Sequence, residues 1–475
     1  LLESGLFLVD LGDGRLRYHH LFRDFLRHQL QSQEEAAAHR RAAACCRRFD
    51  EDEEAIHHLL RAGAFQDAAD LLGRVGRAVV RAGRLDTLAG WIGALPPETL
   101  EEHPALLVHL GDIARLHSRF DEALGWYRQA ERRSRAQDDA SAISRALRGQ
   151  ARVYLDTVNP TQAEHLLQEA LKLSDGQEDR ATRARLLDLM AENQLNLGHP
   201  DRAEALRGTA RELREEGPGE AELRIRVLLR TGQLNRASRL LEKRLEDERL
   251  KPVLRPRAHR ETLLLLSLIR AFQGQGEDAY RCAVEGTARG RELSSPYVTA
   301  VGHMRQGHAW LLRDTAPAYE EACHHYREAI RLGNTLAVPW LKVEAYWGLC
   351  RAHGFEGEIA AAEQAAQQGL TIAERAGDEW IAALIRLSLS AAYVLLERDD
   401  RALLGLSQAL TMFRECGDTF GEALARLWQC LAWRQRKDNT RLRRGTSELL
   451  ALARHHGYDY IFKRQTLLGP PDHRQ

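Results

Sequence analysis

Long apolar runs are absent from this sequence. Uncharged apolar stretches such as Thr262 to Ile269 fall far short of the roughly 20 residues a membrane-spanning helix requires. An excess of either charge is missing as well: 68 basic residues stand against 68 acidic ones. Neutralising a phosphate backbone needs a net basic surface, so direct DNA binding by this chain is not expected, although local basic patches are allowed. Lysine is confined to positions 172, 243, 251, 342, 437 and 463, which leaves arginine as nearly all of the positive charge. Cysteine is sparse and unpatterned, seven residues with Cys45 and Cys46 adjacent and no CxxC pair. That excludes a disulfide scaffold and a cysteine-based metal site, and suits a reducing, cytoplasmic setting.

Catalytic signatures are missing too. There is no Gly-x-x-x-x-Gly-Lys-Ser/Thr phosphate loop, no Gly-x-Gly-x-x-Gly, no His-Glu-x-x-His and no Gly-x-Ser-x-Gly. The adjacent histidines His57-His58, His324-His325 and His455-His456 point about 100° apart on a helix and cannot both ligate one ion unaided. No enzymatic activity and no metal are therefore expected.

What is present is helix. Apolar residues make up 44% and charged residues 29%, enough apolar surface to offset chain entropy and argue against disorder. Only the start departs from the helical pattern. Leu6–Val9 and Arg15–Tyr18 read as two short strands joined by the Gly12-Asp-Gly14 turn, followed by helical spacing from His20 to Leu30. The chain begins at Leu1 rather than Met, and a hairpin plus one helix is an incomplete fold, so the chain is expected to be a piece of a longer one. An irregular set of short helices follows, with turns at Arg61-Ala-Gly-Ala-Phe65, Arg81-Ala-Gly-Arg-Leu85 and Leu95-Pro-Pro-Glu98.

From Pro104 a repeat emerges. Each unit has one helix, a turn, and a second helix with a small residue early and further core positions four and seven residues later, as in Ala163, Leu167 and Ala170. Aligning the small residue gives Ala123, Ala163, Ala203, Ala237, Ala279, Ala322, Ala362 and Ala402, spaced 34 to 43 residues apart. One further pair, about Gly421–Arg436 and Thr440–His456, ends the array. That period predicts an all-α fold, a tetratricopeptide-like right-handed superhelical solenoid. The aromatics of Gly457–Lys463 would cap the last face, and Gly469-Pro-Pro-Asp472 reads as a linker.

The inner groove, formed by the first helix of each pair, is the candidate site. Counting back from the anchor alanines places Asp112 and Arg115, Arg148 and Arg152, Asp188 and Glu192, and Arg226 and Arg230 on that face. Two readings are open: an inter-repeat ladder with Arg148–Asp188 and Arg152–Glu192 rungs, or a grip on a polar ligand or peptide by bidentate arginines. Further along, the groove positions Leu264, Leu268, Met304, His308 and Leu311 turn apolar. Five tryptophans (340, 347, 380, 428 and 433) lie beyond residue 330, either as inter-helix core or as stacking surfaces.

The segment Leu6-Phe-Leu-Val-Asp-Leu-Gly-Asp-Gly-Arg-Leu-Arg-Tyr-His-His-Leu-Phe-Arg-Asp-Phe-Leu26 resembles one found in large ATP-binding LuxR-type regulators of the signal-transducing STAND ATPases. Glu54-Ala-Ile-His-His-Leu-Leu-Arg-Ala-Gly63 and Trp91-Ile-Gly-Ala-Leu-Pro96 are similar to the helical arm of the same proteins. The resemblance implies the end of a winged-helix domain (1–32), a helical arm (33–103), a repeat sensor (104–456) and a C-terminal cap and linker (457–475). It further implies ATP or ADP as a cofactor of the intact protein, none being expected in this piece. His19, with His20 as the alternative, would contact the nucleotide. An inducer, or a peptide or protein partner, would occupy the groove, and the intact protein would self-assemble and carry a DNA-binding effector. The alternative is a tetratricopeptide interaction scaffold with no nucleotide switch.

Overall fold

The computed structural model describes residues 7–12, 15–29, 32–174, 180–213, 221–251, 256–313 and 317–462. The chain forms two units, Leu1–His109 and Leu110–Gln475. The boundary falls six residues beyond the expected Pro104 start of the repeats, inside a continuous helix.

In the first unit, β1 (Leu8–Gly12) pairs antiparallel with β2 (Arg15–Tyr18), with an irregularity between Asp10 and Gly12. The first strand thus runs later than the expected Leu6–Val9, because the extra residue of the bulge shifts the pairing toward the turn. Leu6, Asp13 and Gly14 lie outside the described residues. Helices α1 (His20–Gln29), α2 (Ser32–Arg48), α3 (Asp52–Arg61), α4 (Phe65–Arg81), α5 (Leu85–Gly93) and α6 (Pro97–Glu102) follow. The turns anticipated around Gly63 and Gly83 are there, with φ of 62° and 75°.

In the second unit helices come in pairs. The first three pairs are α7/α8 (Pro104–Leu116, Phe120–Ala136), α9/α10 (Ala140–Asp156, Pro160–Lys172) and α11/α12 (Arg180–Asn196, Pro200–Glu212). The next three are α13/α14 (Ala221–Arg230, Leu234–Leu250), α15/α16 (Thr262–Phe272, Gly276–Glu292) and α17/α18 (Pro296–Trp310, Ala318–Thr335). The last three are α19/α20 (Pro339–Phe355, Ile359–Ala376), α21/α22 (Glu379–Leu395, Asp399–Glu415) and α23/α24 (Thr419–Gln435, Asn439–His456). Helix starts follow local chemistry. Asp139 and Asn159 cap α9 and α10 through their side chains, and proline occupies the first turn of α10, α12, α17 and α19.

All eight anchor alanines are fully buried. They sit at the start of the second helix of each pair, where only a methyl group lets that helix approach the first. The core positions four and seven residues later are filled in the same way: Ala123, Tyr127 and Ala130 in α8, and Ala163, Leu167 and Ala170 in α10, all have no exposure. Tyr127 needs more room than the pattern allows, and Gly111 and Gly149 supply it; a Cβ at either would lie within 2.6 Å of its ring.

The pairs wind so tightly that the chain meets itself. The turn of the first pair reaches the sixth (Ser118 Oγ to Ser295 Oγ, 3.3 Å), and Phe120 meets Tyr297 edge to face. The turn of the third lies against α21, and that of the fourth against α23, where Thr419 Oγ1 donates to Thr231 O at 3.1 Å. Tyr458, from the C-terminal segment, donates to Gly232 O at 2.9 Å. That segment therefore bridges to the fourth pair as well as covering α24; Lys463 and 469–472 lie outside the described residues.

The winding also corrects the expected groove. Past Thr262 the inward face is packed core: Leu264, Leu268, Met304 and His308 are buried. Phe272 meets both Trp347 and Phe420, which belong to different turns. Trp347, Trp380 and Trp428 are buried between helices, so these three are structural; Trp433 is half-buried, and half-buried Trp340 lines a separate cavity of about 300 Å³. Apolar side chains on that face pack the turns against one another.

Gly232 sits at a close approach between turns: its φ is 78°, and a Cβ there would lie 2.5 Å from Phe420 N and 2.7 Å from Tyr458 Oη. Gly232→Ala is expected to cost about 2 kcal/mol or more, combining left-handed strain with the clash. Gly63→Ala, with φ of 62° and open space around it, should cost about 1 kcal/mol. Urea denaturation of both variants measures the difference, and equal losses would show that the contact between turns is not tight.

An arginine–carboxylate array around a candidate binding cavity

Where the inward face is charged, it lines a half-open cavity of about 240 Å³. Six arginines line it: Arg115, Arg152, Arg207, Arg226, Arg257 and Arg260. Three carboxylates share the lining: Asp156, Asp188 and Glu192. Five of the nine groove residues expected from the sequence meet here, namely Arg115, Arg152, Asp188, Glu192 and Arg226.

An alternating chain of charges runs through the site. Arg115 Nη1 donates to Asp156 Oδ2 at 2.5 Å. Arg260 donates to the other Asp156 oxygen and, through Nη1, to Glu192 Oε1 at 2.8 Å. Arg226 Nη1 donates to the same Glu192 oxygen at 2.5 Å, and its Nη2 to Asn196 Oδ1 at 2.7 Å. Burial pushes the Asp156 carboxyl up, but Arg260 and Arg115 outweigh it and hold it below the ordinary aspartate value. Arg115 is raised because the attraction of Asp156 overcomes its own desolvation.

The anticipated Arg152–Glu192 rung is not made: Glu192 is taken by Arg226 from the next pair and by Arg260 from beyond it. Arg152 faces the cavity, and no described residue hydrogen-bonds or ion-pairs with it. Burial, with Arg115 next to it, lowers its pKa. Asp112 lies beside the cavity and accepts from Tyr127 Oη at 2.7 Å. Arg148 is half-buried outside the lining.

Two expected groove residues serve the packing instead. Arg230 forks onto Asp378 at 3.1 and 3.0 Å and lies over the Trp380 ring, clamping the fourth pair to the eighth. His308 is fully buried, with Nδ1 2.7 Å from Tyr326 Oη and Nε2 3.1 Å from Glu344 Oε1. His19 stands between β2 and α1 with an exposed side chain, its backbone N–H donating to Phe7 O at 2.6 Å.

Sequence reasoning missed Asp156, Arg207, Arg257 and Arg260. Two of these were readable. Asp156 lies four residues past Arg152, on the same helical face. Arg207 occupies the position four after anchor Ala203, where α8 and α10 carry Tyr127 and Leu167, so a charged residue there had to have a purpose. Arg257 and Arg260 lie around the short 3-10 turn Ala258–Arg260, outside any repeat pattern. Next to Arg260, His259 is buried against Trp340 with neither ring nitrogen hydrogen-bonded. Burial, and after it Arg226, Arg260, Arg230 and Arg305, hold its pKa well below the usual histidine value.

Among the described residues no helix is long and apolar enough to cross a membrane. Residues 1–38 match the MalT winged helix domain. Three solved structures match this chain at low identity. A Rap protein complexed with competence and sporulation factor shares 13% identity at a TM-score of 0.26, over 86% of both chains. A STAND protein with a tetratricopeptide repeat sensor from Pyrococcus horikoshii shares 11% at 0.32, over 95% of this chain and 58% of that one. This chain thus spans little more than half of that protein. The APC/C hetero-tetramer Cut9–Hcn1 shares 11% at 0.41, over 92% and 91%. None of these likenesses is close enough to transfer a ligand or a mechanism.

Asp156→Asn keeps the shape but leaves Arg115 and Arg260 buried without their shared counter-charge. A loss of about 3–5 kcal/mol is expected in chemical denaturation, and a loss under 1 kcal/mol would mean that water already compensates the pair. Stability should also depend on pH in two windows. His259 resists protonation in the folded state, so stability falls as pH drops below about 6.5, where the unfolded chain takes up a proton that the folded one does not. Asp156 adds a second loss below about pH 4, since its folded pKa is depressed. Melting curves of His259→Leu should fall less steeply between pH 6.5 and 5 than those of the parent; an unchanged slope would remove His259 from the account.

Proposed function

We propose that this chain is the sensing and regulatory part of a STAND-type, ATP-dependent transcriptional regulator, working in the cytoplasm and without catalysis of its own. One observation carries the reading: the same chain joins a winged-helix match at residues 1–38 to a unit of helix pairs with a half-open, charged cavity. The charged cavity is the place for an inducer, and the filled interior beyond Thr262 disfavours a peptide laid along the whole inner face.

An inducer shifts an equilibrium only by the difference in its affinity for the two states. Here the two states would be the wound array and one loosened at its turn-to-turn contacts, such as Ser118–Ser295 and Arg230–Asp378. In the intact protein the nucleotide would hold the resting state, with His19 donating to a phosphate oxygen. ATP and inducer must then strengthen each other's binding by the same factor.

The test is made on the longer protein from the same reading frame. A phosphate loop should lie upstream of Leu1, and saturating inducer should tighten ATP binding; identical ATP affinities with and without inducer would sink the switch. His19→Ala is expected to speed ADP release and raise basal activity. An unaltered ADP off-rate would withdraw the nucleotide role from His19.

A further inference from the structure

We propose that the cavity is a binding site for a small anion, with the Arg152 guanidinium taking its carboxylate or phosphate group. This rests on the sensing reading above and names the ligand class for that site.

The argument is one of unequal pairing. Of the six arginines on the cavity, five have a carboxylate within ion-pair distance: Arg115 and Arg260 share Asp156, Arg226 has Glu192, Arg207 has Glu204 and Arg257 has Glu248. Arg152 has none among the described residues. A guanidinium carries five N–H donors in a planar fork suited to two oxygens of one oxyanion. Keeping that fork desolvated beside Arg115 costs stability, and its lowered pKa reports the cost. Asp112 and Asp156 lie close enough to offset part of that cost electrostatically, but neither closes a pair with it.

The surroundings define the ligand further. At about 240 Å³ the cavity is smaller than the roughly 300–1,000 Å³ of drug-sized pockets, so a small metabolite fits and a polymer does not. Asp188 and Glu192 on the same lining repel a second dense cluster of negative charge. A mono- or dianion, such as a short carboxylic acid or a phosphate monoester, meets both limits.

The test uses this chain as it stands, with inorganic phosphate and malonate as anionic probes and glucose as a neutral one. Phosphate or malonate should raise the melting temperature and give heat in titration calorimetry, while glucose should do neither. Arg152→Met should weaken the anion at least about tenfold, the scale of a lost charge-assisted hydrogen bond. The same variant should raise the melting temperature without ligand, because it removes a half-buried guanidinium that no described carboxylate pairs with and that stands beside Arg115. Arg152→Lys should retain part of the binding.

A structural role for Arg152 predicts the opposite sign, so a ligand-free Arg152→Met protein that melts lower overturns the proposal. So do anion shifts that persist in Arg152→Met, and the absence of any shift with either anion. Glucose binding that is indifferent to Arg152→Met would overturn the anion class and leave the sensing reading standing. Anion binding at Arg152 without any ATP linkage in the longer protein would do the reverse.

Discussion

Arg260 holds one carboxylate from α9 and another from α11, and reaches both from a short turn in a later pair. The sequence separations are 104 and 68 residues, so this contact exists only if the chain has curled back on itself. Buried ion pairs add little net stability, because desolvation offsets most of the attraction. Removing one member, however, strands the others in a medium that punishes unpaired charge. The array therefore acts less as glue than as a register, fixing which turn of the winding faces which.

Small residues make that register reachable. The anchor alanines bring the two helices of a pair together, and Gly111 and Gly149 open the slot that Tyr127 fills. Gly232 then lets the fourth pair touch α23 and Tyr458. With the backbone so close, the side chains that face inward decide what the interior becomes. Phe272, Trp347 and Phe420 close it into core, and the arginines and carboxylates of α7, α9, α11 and α13 keep part of it open.

A half-open cavity shared by several helix pairs has a different functional logic from a groove running the length of the array. A groove can take a peptide from solution with the array unchanged. A cavity walled by residues from several turns couples its occupancy to how tightly those turns are wound. That coupling suits a sensor, in which a small molecule changes the relative stability of two arrangements of the same helices.

Read alone, the sequence determined that the chain folds into helix pairs and placed the buried alanine in eight of them, because these follow from local periodicity and from turn residues next to one another in the chain. It also determined that Arg115, Arg152, Asp188, Glu192 and Arg226 share the inward face, since helical phase relates them within and between repeats. It could not determine their partners. Which carboxylate each arginine meets, why Arg152 has none among the described residues, and why His308 and Arg230 are taken up by packing all depend on the pitch of the winding. That pitch is the sum of many small packing angles between neighbouring pairs. Only the folded chain brings Arg260 to Asp156 and Tyr458 to Gly232, because no local pattern carries information over such separations.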